Sequence, residues 1–290
     1  MSDVLLPQKE TVPLQKFIKK AWVKETTITP FTAEPMLRRS KKNRIIYYIG
    51  SFNPPHLGHL ALISHVFQNS KDPDEYNAIA VIVLAHAEGW VKRKVSGDDS
   101  PLHLTFDERL RLLEASITKQ QRDWLWIFPV DVGGWWGFQG RLINACARDG
   151  FVLEFHELLG PDYVQASQPK SSGLHGIVTS NICRPADFVS SQDTGPHLIQ
   201  LTGYTHWEKI ERRGDNEDVY MCRHTRTPEY TVRFVYAKHS TMNEDISSTQ
   251  IRKTITDTHS SELLSKISTV ALSPELLLRI LHEKGGGLVG

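Results

Sequence analysis

The 290-residue chain is short of several things, and each shortage removes a class of protein. Cysteine is scarce: Cys146, Cys183 and Cys222 are the only three, and none sits in a CxxC pair. An odd, scattered set suits neither a disulfide framework nor a zinc site; it points to reduced thiols in the cytosol or nucleus. No apolar run approaches the ~20 residues that a membrane-spanning helix needs. The first residues lack the basic and apolar regions of a signal peptide. Charge of one sign is missing too. The formal net charge is +1, so bulk nucleic-acid binding is not expected. No internal repeat or low-complexity block is present. What remains is ordinary for a soluble domain, 40% hydrophobic and 23% charged, and long enough to bury a sizeable core. The expected location is cytoplasmic and/or nuclear, with no membrane partner.

The chain divides into an N-terminal extension, residues 1–43, and a main domain, residues 44–290. The extension carries scattered prolines, and its stretch Leu14 to Val23 predicts a short helix. The basic cluster Ser40 to Arg44 reads as a solvated lead-in to a strand. Ile45 to Ile49 is an apolar run of strand length that stops at Gly50. After a tight connector, Ser51 to Pro55, His56-Leu57-Gly58-His59 opens a helix with apolar residues at Leu60, Ile63 and Phe67. Ala78 to Ala85 (AIAVIVLA) predicts a central parallel strand buried on both faces. Lys92, Arg93 and Lys94 are expected in a loop. Thr105 and Glu108 form a capping-box pattern ahead of a helix through Leu110, Leu113 and Ile117.

Trp124 to Val130 predicts a strand. Asp131 to Gly140 (DVGGWWGFQG) reads as a glycine-rich loop offering exposed rings, followed by a short helix over Arg141 to Ala147. Phe151 to Leu159 and Ile177 to Ile182 predict further strands. Val219 to His224 and Tyr230 to Tyr236 predict a hairpin. Helices are expected from Asp245 and over Glu275 to His282, the latter with Pro274 at its start. The triplet Arg213-Gly214-Asp215 reads as an exposed turn. Strands alternating with helices from residue 45 to 182 predict an α/β fold, a Rossmann-like doubly wound parallel sheet with a C-terminal helical segment. In such folds ligands bind beyond the carboxyl ends of the strands, where strand order switches.

A strand, a glycine and a helix start make a ready anion site, because the first helical turn has free N–H groups and a positive dipole end. His56 and His59, spaced i and i+3, lie on one side of that turn. Taken alone, either histidine is more often a cap or a packed core residue.

The ten residues Gly50-Ser51-Phe52-Asn53-Pro54-Pro55-His56-Leu57-Gly58-His59 resemble the G-x-F-x-P-x-H-x-G-H signature of the nucleotidyltransferase superfamily at every fixed position. Ile246-Ser247-Ser248-Thr249-Gln250-Ile251-Arg252 resembles its second signature, I-S-S-T-x-I-R. The resemblance implies transfer of a nucleotidyl group, with ATP as co-substrate and Mg²⁺ held mainly by the phosphates. It implies catalytic roles for His56 and His59. It implies ATP-binding roles for Gly50, Ser51, Phe52, Gly58, Ser248, Thr249 and Arg252, and, through the Gly160-Pro161-Asp162 stretch, for Gly160 and Asp162.

Weaker features resemble the eukaryotic nicotinamide mononucleotide adenylyltransferase branch: Lys92 to Lys94, the Arg109 helix, Asp123-Trp124, and Ile182-Cys183-Arg184-Pro185. They imply acceptor-binding roles for Lys92, Lys94, Trp124, Trp135, Trp136 and Arg184. Either Trp135 or Trp136 is expected to stack on the acceptor base or to pack under its loop. Residues 186–230 have no counterpart and read as a divergent insertion. The implied reaction is transfer of AMP from ATP to nicotinamide or nicotinate mononucleotide. Two alternatives stand beside it. One is another phosphorylated acceptor, of the cytidylyl or pantetheine-phosphate type. The other is a catalytically weak, nucleotide-binding regulatory protein. Expected partners are small-molecule nucleotides, and a homo-oligomer is compatible with the sequence.

Overall fold

A computed structural model describes residues 10–97, 102–167, 174–192, 195–212, 217–238 and 246–284. A small antiparallel pair, β1 (Thr11–Pro13) and β2 (Met36–Arg38), flanks α1 (Leu14–Ala21). Then come β3 (Lys42–Gly50), α2 (Leu57–Gln68), β4 (Ala78–Ala85), α3 (Glu88–Val95), α4 (Phe106–Ser116), β5 (Leu125–Ile127), α5 (Val132–Arg148), β6 (Val152–Leu158) and β7 (Gly176–Ser180). They are followed by β8 (Val189–Gln192), β9 (Gly195–Leu198), β10 (Glu208–Lys209), β11 (Val219–Arg223), β12 (Thr231–Val235), α6 (Ser248–Asp257), α7 (Ser260–Ile267) and α8 (Pro274–Glu283).

The main sheet has eight strands in the order β10-β11-β12-β7-β6-β3-β4-β5. From β12 to β5 every pairing is parallel, and β10 and β11 extend it antiparallel. This is the expected Rossmann-like α/β fold. Side chains alternate across β3, as a period of two requires. Ile45 and Tyr47 enter one core with Phe17, Ile18, Leu142 and Phe155, so α1 and α5 cover that face. Ile46 enters the other core with Ile63, Val66, Leu113 and Val178, beneath α2 and α4. Helix α1 is therefore part of the main core. β4 is buried along nearly all its length, as its unbroken apolar run requires.

A third apolar cluster joins α6, α7 and α8 to Leu104 and Leu112. A fourth, with Phe188, Leu201, Cys222, Val232 and Phe234, packs residues 186–189 and 198–204 against the antiparallel end of the sheet. The expected hairpin is there: Val219 pairs with Val235 and Arg223 with Thr231.

Two expected loops are helices. Lys92, Arg93 and Lys94 lie in α3, because Val91 and Val95, one turn apart, are buried and carry the charged residues on the outer face. Residues 132–140 belong to α5. Asp131 caps it, accepting from the Gly133 N–H at 2.9 Å. Trp135, Phe138, Gln139 and Leu142 then fall on one buried stripe, whose packing outweighs the low helix propensity of four glycines. The Thr105–Glu108 capping box forms as expected: Thr105 N–H donates to Glu108 Oε2 at 2.7 Å, and Glu108 N–H donates to Thr105 Oγ1 at 3.3 Å. The Arg213-Gly214-Asp215 turn and Asp245 lie outside the described residues.

Candidate active site

Strand order runs outward in both directions from β3 and β6, so the switch point lies between their carboxyl ends. A cleft of ≈ 700 Å³ opens there. Its walls come from Tyr48 to Phe52 at the end of β3, Glu157 to Tyr163 at the end of β6, Ile182 to Arg184 after β7, and Ile246 to Thr249 at the start of α6. A ligand crevice belongs at this place in a doubly wound sheet.

The turn after β3 is held in an uncommon conformation. Phe52 has φ of 48°, in the left-handed region that bulky side chains avoid. Gly50 leaves room for that ring, since a Cβ on Gly50 would stand 2.6 Å from Phe52 Cζ. The Phe52 ring meets the His59 ring edge-on, with centroids 4.9 Å apart. His56 and His59 stack on each other, centroids 3.5 Å apart and planes 25° from parallel. The His56 N–H donates to His59 Nδ1 at 3.1 Å. His59 Nδ1 is therefore the acceptor nitrogen, which leaves the ring proton on Nε2 as a donor.

Both rings are neutral at pH 7. Burial lowers the His56 pKa to about 3, and the Arg184 guanidinium adds to the effect. His59 lies well below its ordinary value through burial first, then His56, Arg184 and Lys94. Each neutral ring keeps one N–H, which can donate to a phosphate oxygen at the helix N-terminus.

The second signature reaches the same turn by its side chains. Ser248 Oγ donates to Pro54 O at 2.8 Å, and Arg252 Nη1 donates to Asn53 O at 2.8 Å. Ser248 and Thr249 also line the cleft. Arg252 does not; it is buried behind the turn and braces it. Asn53 is fastened from another side, accepting from Leu104 N–H and donating to Leu102 O, each at 2.8 Å. On the far side Leu57 N–H donates to Val270 O at 2.9 Å, and Leu272 N–H to Pro55 O at 3.1 Å. Two signatures about two hundred residues apart thus build one rigid wall.

Residues 47–254 match the model of the cytidylyltransferase-like family. The chain belongs to that family. No curated protein matches it. Among solved structures it is similar to nicotinic acid mononucleotide adenylyltransferase of Plasmodium falciparum in complex with NaAD, at 12% identity and a TM-score of 0.44, covering 82% of this chain and 96% of that one. The same enzyme in complex with APC matches at 12% identity and a TM-score of 0.46, covering 85% and 98%.

In this cytidylyltransferase-like protein the cleft gathers Gly50, Ser51, Phe52, His56, Gly58, His59, Gly160, Asp162, Arg184, Lys94, Ser248 and Thr249 of the residues singled out from the sequence. Arg184 Nη1 holds Asp162 Oδ2 at 3.3 Å, and Arg184 Nη2 donates to Ile246 O at 3.4 Å, so it ties three cleft walls together. Lys92, Trp124, Trp135 and Trp136 do not line the cleft. Trp124 stacks on Phe67, centroids 4.1 Å apart and planes 10° from parallel. Trp135 is fully buried against Tyr47, Phe128 and Phe155 beneath α5. Trp136, half exposed, sits beside Tyr47 on that same face. Neither ring of α5 can serve an acceptor base in this cleft.

The tryptophan that does line the cleft is Trp90. It is 41% exposed and stacks on His86, centroids 4.1 Å apart, with Lys94 Nζ 5.5 Å from its ring. His86 is neutral, its pKa lowered to about 4 by burial, then Lys94 and Arg109. An aromatic residue one turn before a basic pair, just after a buried strand, was the available signal.

Proposed function

We propose that this protein is an adenylyltransferase that moves AMP from ATP to nicotinamide or nicotinate mononucleotide, releasing pyrophosphate. The observation that carries the reading is the stacked His56–His59 pair at the start of α2, lining one cleft together with Ser248 and Thr249, of which Ser248 is bonded to the same turn. The 5′-phosphate of the acceptor attacks the α-phosphate in line. It is already an anion, so no side-chain nucleophile is needed. Catalysis is positioning and charge stabilisation. His59 Nε2–H donates to an α-phosphate oxygen as charge builds there, with His56 beside it. Ser248 and Thr249 hold the departing phosphates. Gly160 and Asp162 lie on the β6 wall, suited to the ribose. Arg252 acts from behind the Asn53-Pro54 turn.

In this reading Mg²⁺ would be held mainly by the substrate phosphates rather than by a protein cage; Asp162, the carboxylate of the cleft after β6, is engaged by Arg184. When bound, Mg²⁺ would neutralise charge on the pyrophosphate. His86, Trp90 and Lys94 form the acceptor wall in this reading: a ring face for a pyridine base and a cation for its phosphate.

The test is a panel of phosphorylated acceptors with ATP or CTP, scored by pyrophosphate release. Release with either mononucleotide and ATP is expected. The family match also leaves room for a cytidylyl donor, and release with CTP and another acceptor in place of the mononucleotides would replace this reading.

A further inference from the structure

Arg109 is the most buried cation of the fold, with no exposed surface. It lies on the inner face of α4 with Leu112 and Leu113. It makes no ion pair among the described residues. Its three donor nitrogens go to backbone carbonyls instead. Nη1 donates to Ser51 O at 2.9 Å, Nη2 to His86 O at 2.8 Å, and Nε to Thr105 O at 3.3 Å. Ser51 follows β3 and His86 follows β4, neighbouring strands already joined by the His86 N–H donating to Gly50 O at 3.0 Å.

A trans peptide sets its C=O and N–H in opposite directions. Gripping the Ser51 carbonyl therefore turns the Phe52 N–H away from the guanidinium. Gripping the His86 carbonyl does the same to the Ala87 N–H. Neither N–H donates to a backbone carbonyl among the described residues. Ser51 and Phe52 line the cleft, and Arg109 does not. The His86 peptide carries the ring that Trp90 stacks on. One guanidinium thus bonds both the left-handed turn after β3 and the neighbouring aromatic wall after β4.

We propose that Arg109 is a positioning residue for nucleotidyl transfer: it aims the Phe52 N–H at the nucleotide phosphates and sets the distance between that turn and the His86–Trp90 wall. A lysine keeps the charge but has a point-like ammonium, which cannot span both carbonyls in the flat fork of a guanidinium. The inference rests on the transferase reading above, and its test has one readout that does not. Arg109→Lys and Arg109→Met are compared with the wild-type protein by hydrogen exchange, by calorimetric binding of ATP, and by pyrophosphate release from the best acceptor.

For Arg109→Lys the expected result is at least about tenfold faster exchange confined to residues 50–53 and 85–88. Turnover should fall about a hundredfold, the scale of a misplaced reacting group, while the ATP dissociation constant changes less than about fivefold. Arg109→Met should move the same readouts further. Exchange unchanged in both loops of the folded lysine variant overturns the proposal. So does a loss of turnover that only follows the loss of folded protein or of ATP affinity. If the wild-type protein transfers to no acceptor, the transferase reading fails. Loop-selective exchange then still decides whether Arg109 orients the two turns.

Discussion

Gly58→Ala separates the site's geometry from the fold's stability. Gly58 is the second residue of α2 and a lining residue of the cleft. A Cβ there would stand 3.1 Å from His56 Nδ1, 3.3 Å from His56 Cε1 and 3.7 Å from Cys183 Cβ. The last is ordinary contact; the first two are tight by a few tenths of an ångström. The His56 ring must give way, and it is already stacked on His59 on one side. Against this, alanine at a helical position gains up to about 0.5–1 kcal/mol over glycine, less in a first turn.

The two terms nearly cancel, so the melting temperature should move by no more than about 3 °C. Turnover should not be spared. A displaced donor to an anion forfeits most of a charge-assisted hydrogen bond, about 1.5–3 kcal/mol. That predicts pyrophosphate release slowed roughly 10- to 100-fold. Thermal melts and initial rates on the same preparation provide the assay. Wild-type turnover in the alanine variant would refute the placement of His56 against the reacting phosphates. A melting temperature lowered by far more than 3 °C would refute the steric estimate.

Four further outcomes follow from the same geometry. His59→Ala should lower kcat by about 10²–10³, as loss of one preorganised donor does, with the urea midpoint lowered only modestly as the His56 N–H loses its acceptor. Trp135→Ala should cost about 3–5 kcal/mol of stability and leave the acceptor KM of the folded fraction alone, whereas Trp90→Ala should raise that KM with little change in stability; steady-state kinetics and urea melts distinguish them. Arg233 is fully buried and pairs with Glu75 at 2.5 Å and with Asn69 O and Ser70 Oγ, tying β12 to the α2–β4 turn. Arg233→Met should therefore cost about 3–5 kcal/mol in urea unfolding while the specific activity of the folded protein holds. His156 is buried, and burial lowers its pKa to about 4, with Glu154 opposing and Arg44 and His175 adding. The unfolded chain binds that proton near pH 6.5 and the folded one near pH 4, so stability is complete above 6.5 and is lost as pH falls toward 4. About 3 kcal/mol is at stake. His156→Gln should flatten the pH dependence of urea unfolding between pH 6.5 and 4 by about that amount, with His56, His59 and His86 among the groups that supply the remainder, and a slope identical to wild type would exclude His156 as a contributor.

Much of this arrangement was legible before any coordinates. The apolar runs of β3 and β4 and the Thr105–Glu108 box act through local rules, and those elements are where the patterns put them. The first turns of α5 were hidden because glycines suggested a loop. The stripe Trp135, Phe138, Gln139, Leu142 has helical spacing, and burial of that stripe decides the outcome. The basic run in α3 drew attention to Lys92 and Lys94, and of the two the cleft takes Lys94, together with Trp90 from the same helix. Arg109 carried a readable warning, a charge on the apolar stripe of Leu112 and Leu113. Its partners, two carbonyls on separate strands, exist only once the sheet has formed. The same holds for Trp124, whose ring is claimed by Phe67, a residue far away in the chain.

The turn from Gly50 to His59 has almost no means of holding its own shape. Phe52 is left-handed, and the carbonyls of Ser51, Asn53, Pro54 and Pro55 are each taken by a donor from elsewhere: Arg109, Arg252, Ser248 and the Leu272 N–H. Those donors sit on α4, on α6 and between α7 and α8. The helices beyond residue 246 pack on one another and on Leu104 and Leu112, not on the sheet's main cores. Their cluster therefore does more than close off apolar surface, because it fixes three of these peptide groups beside the cleft, the fourth being held by Arg109 on α4. A peptide with its carbonyl bound outside must present its other face to the cleft. Of these four peptides only Ser51–Phe52 offers an N–H to a ligand, since Pro54 and Pro55 carry none and the His56 N–H is given to His59 Nδ1, so the turn gains one donor oriented before the ligand arrives and a fixed backbone path. Strain at Phe52 is tolerated for the same reason, since the surrounding structure over-determines it.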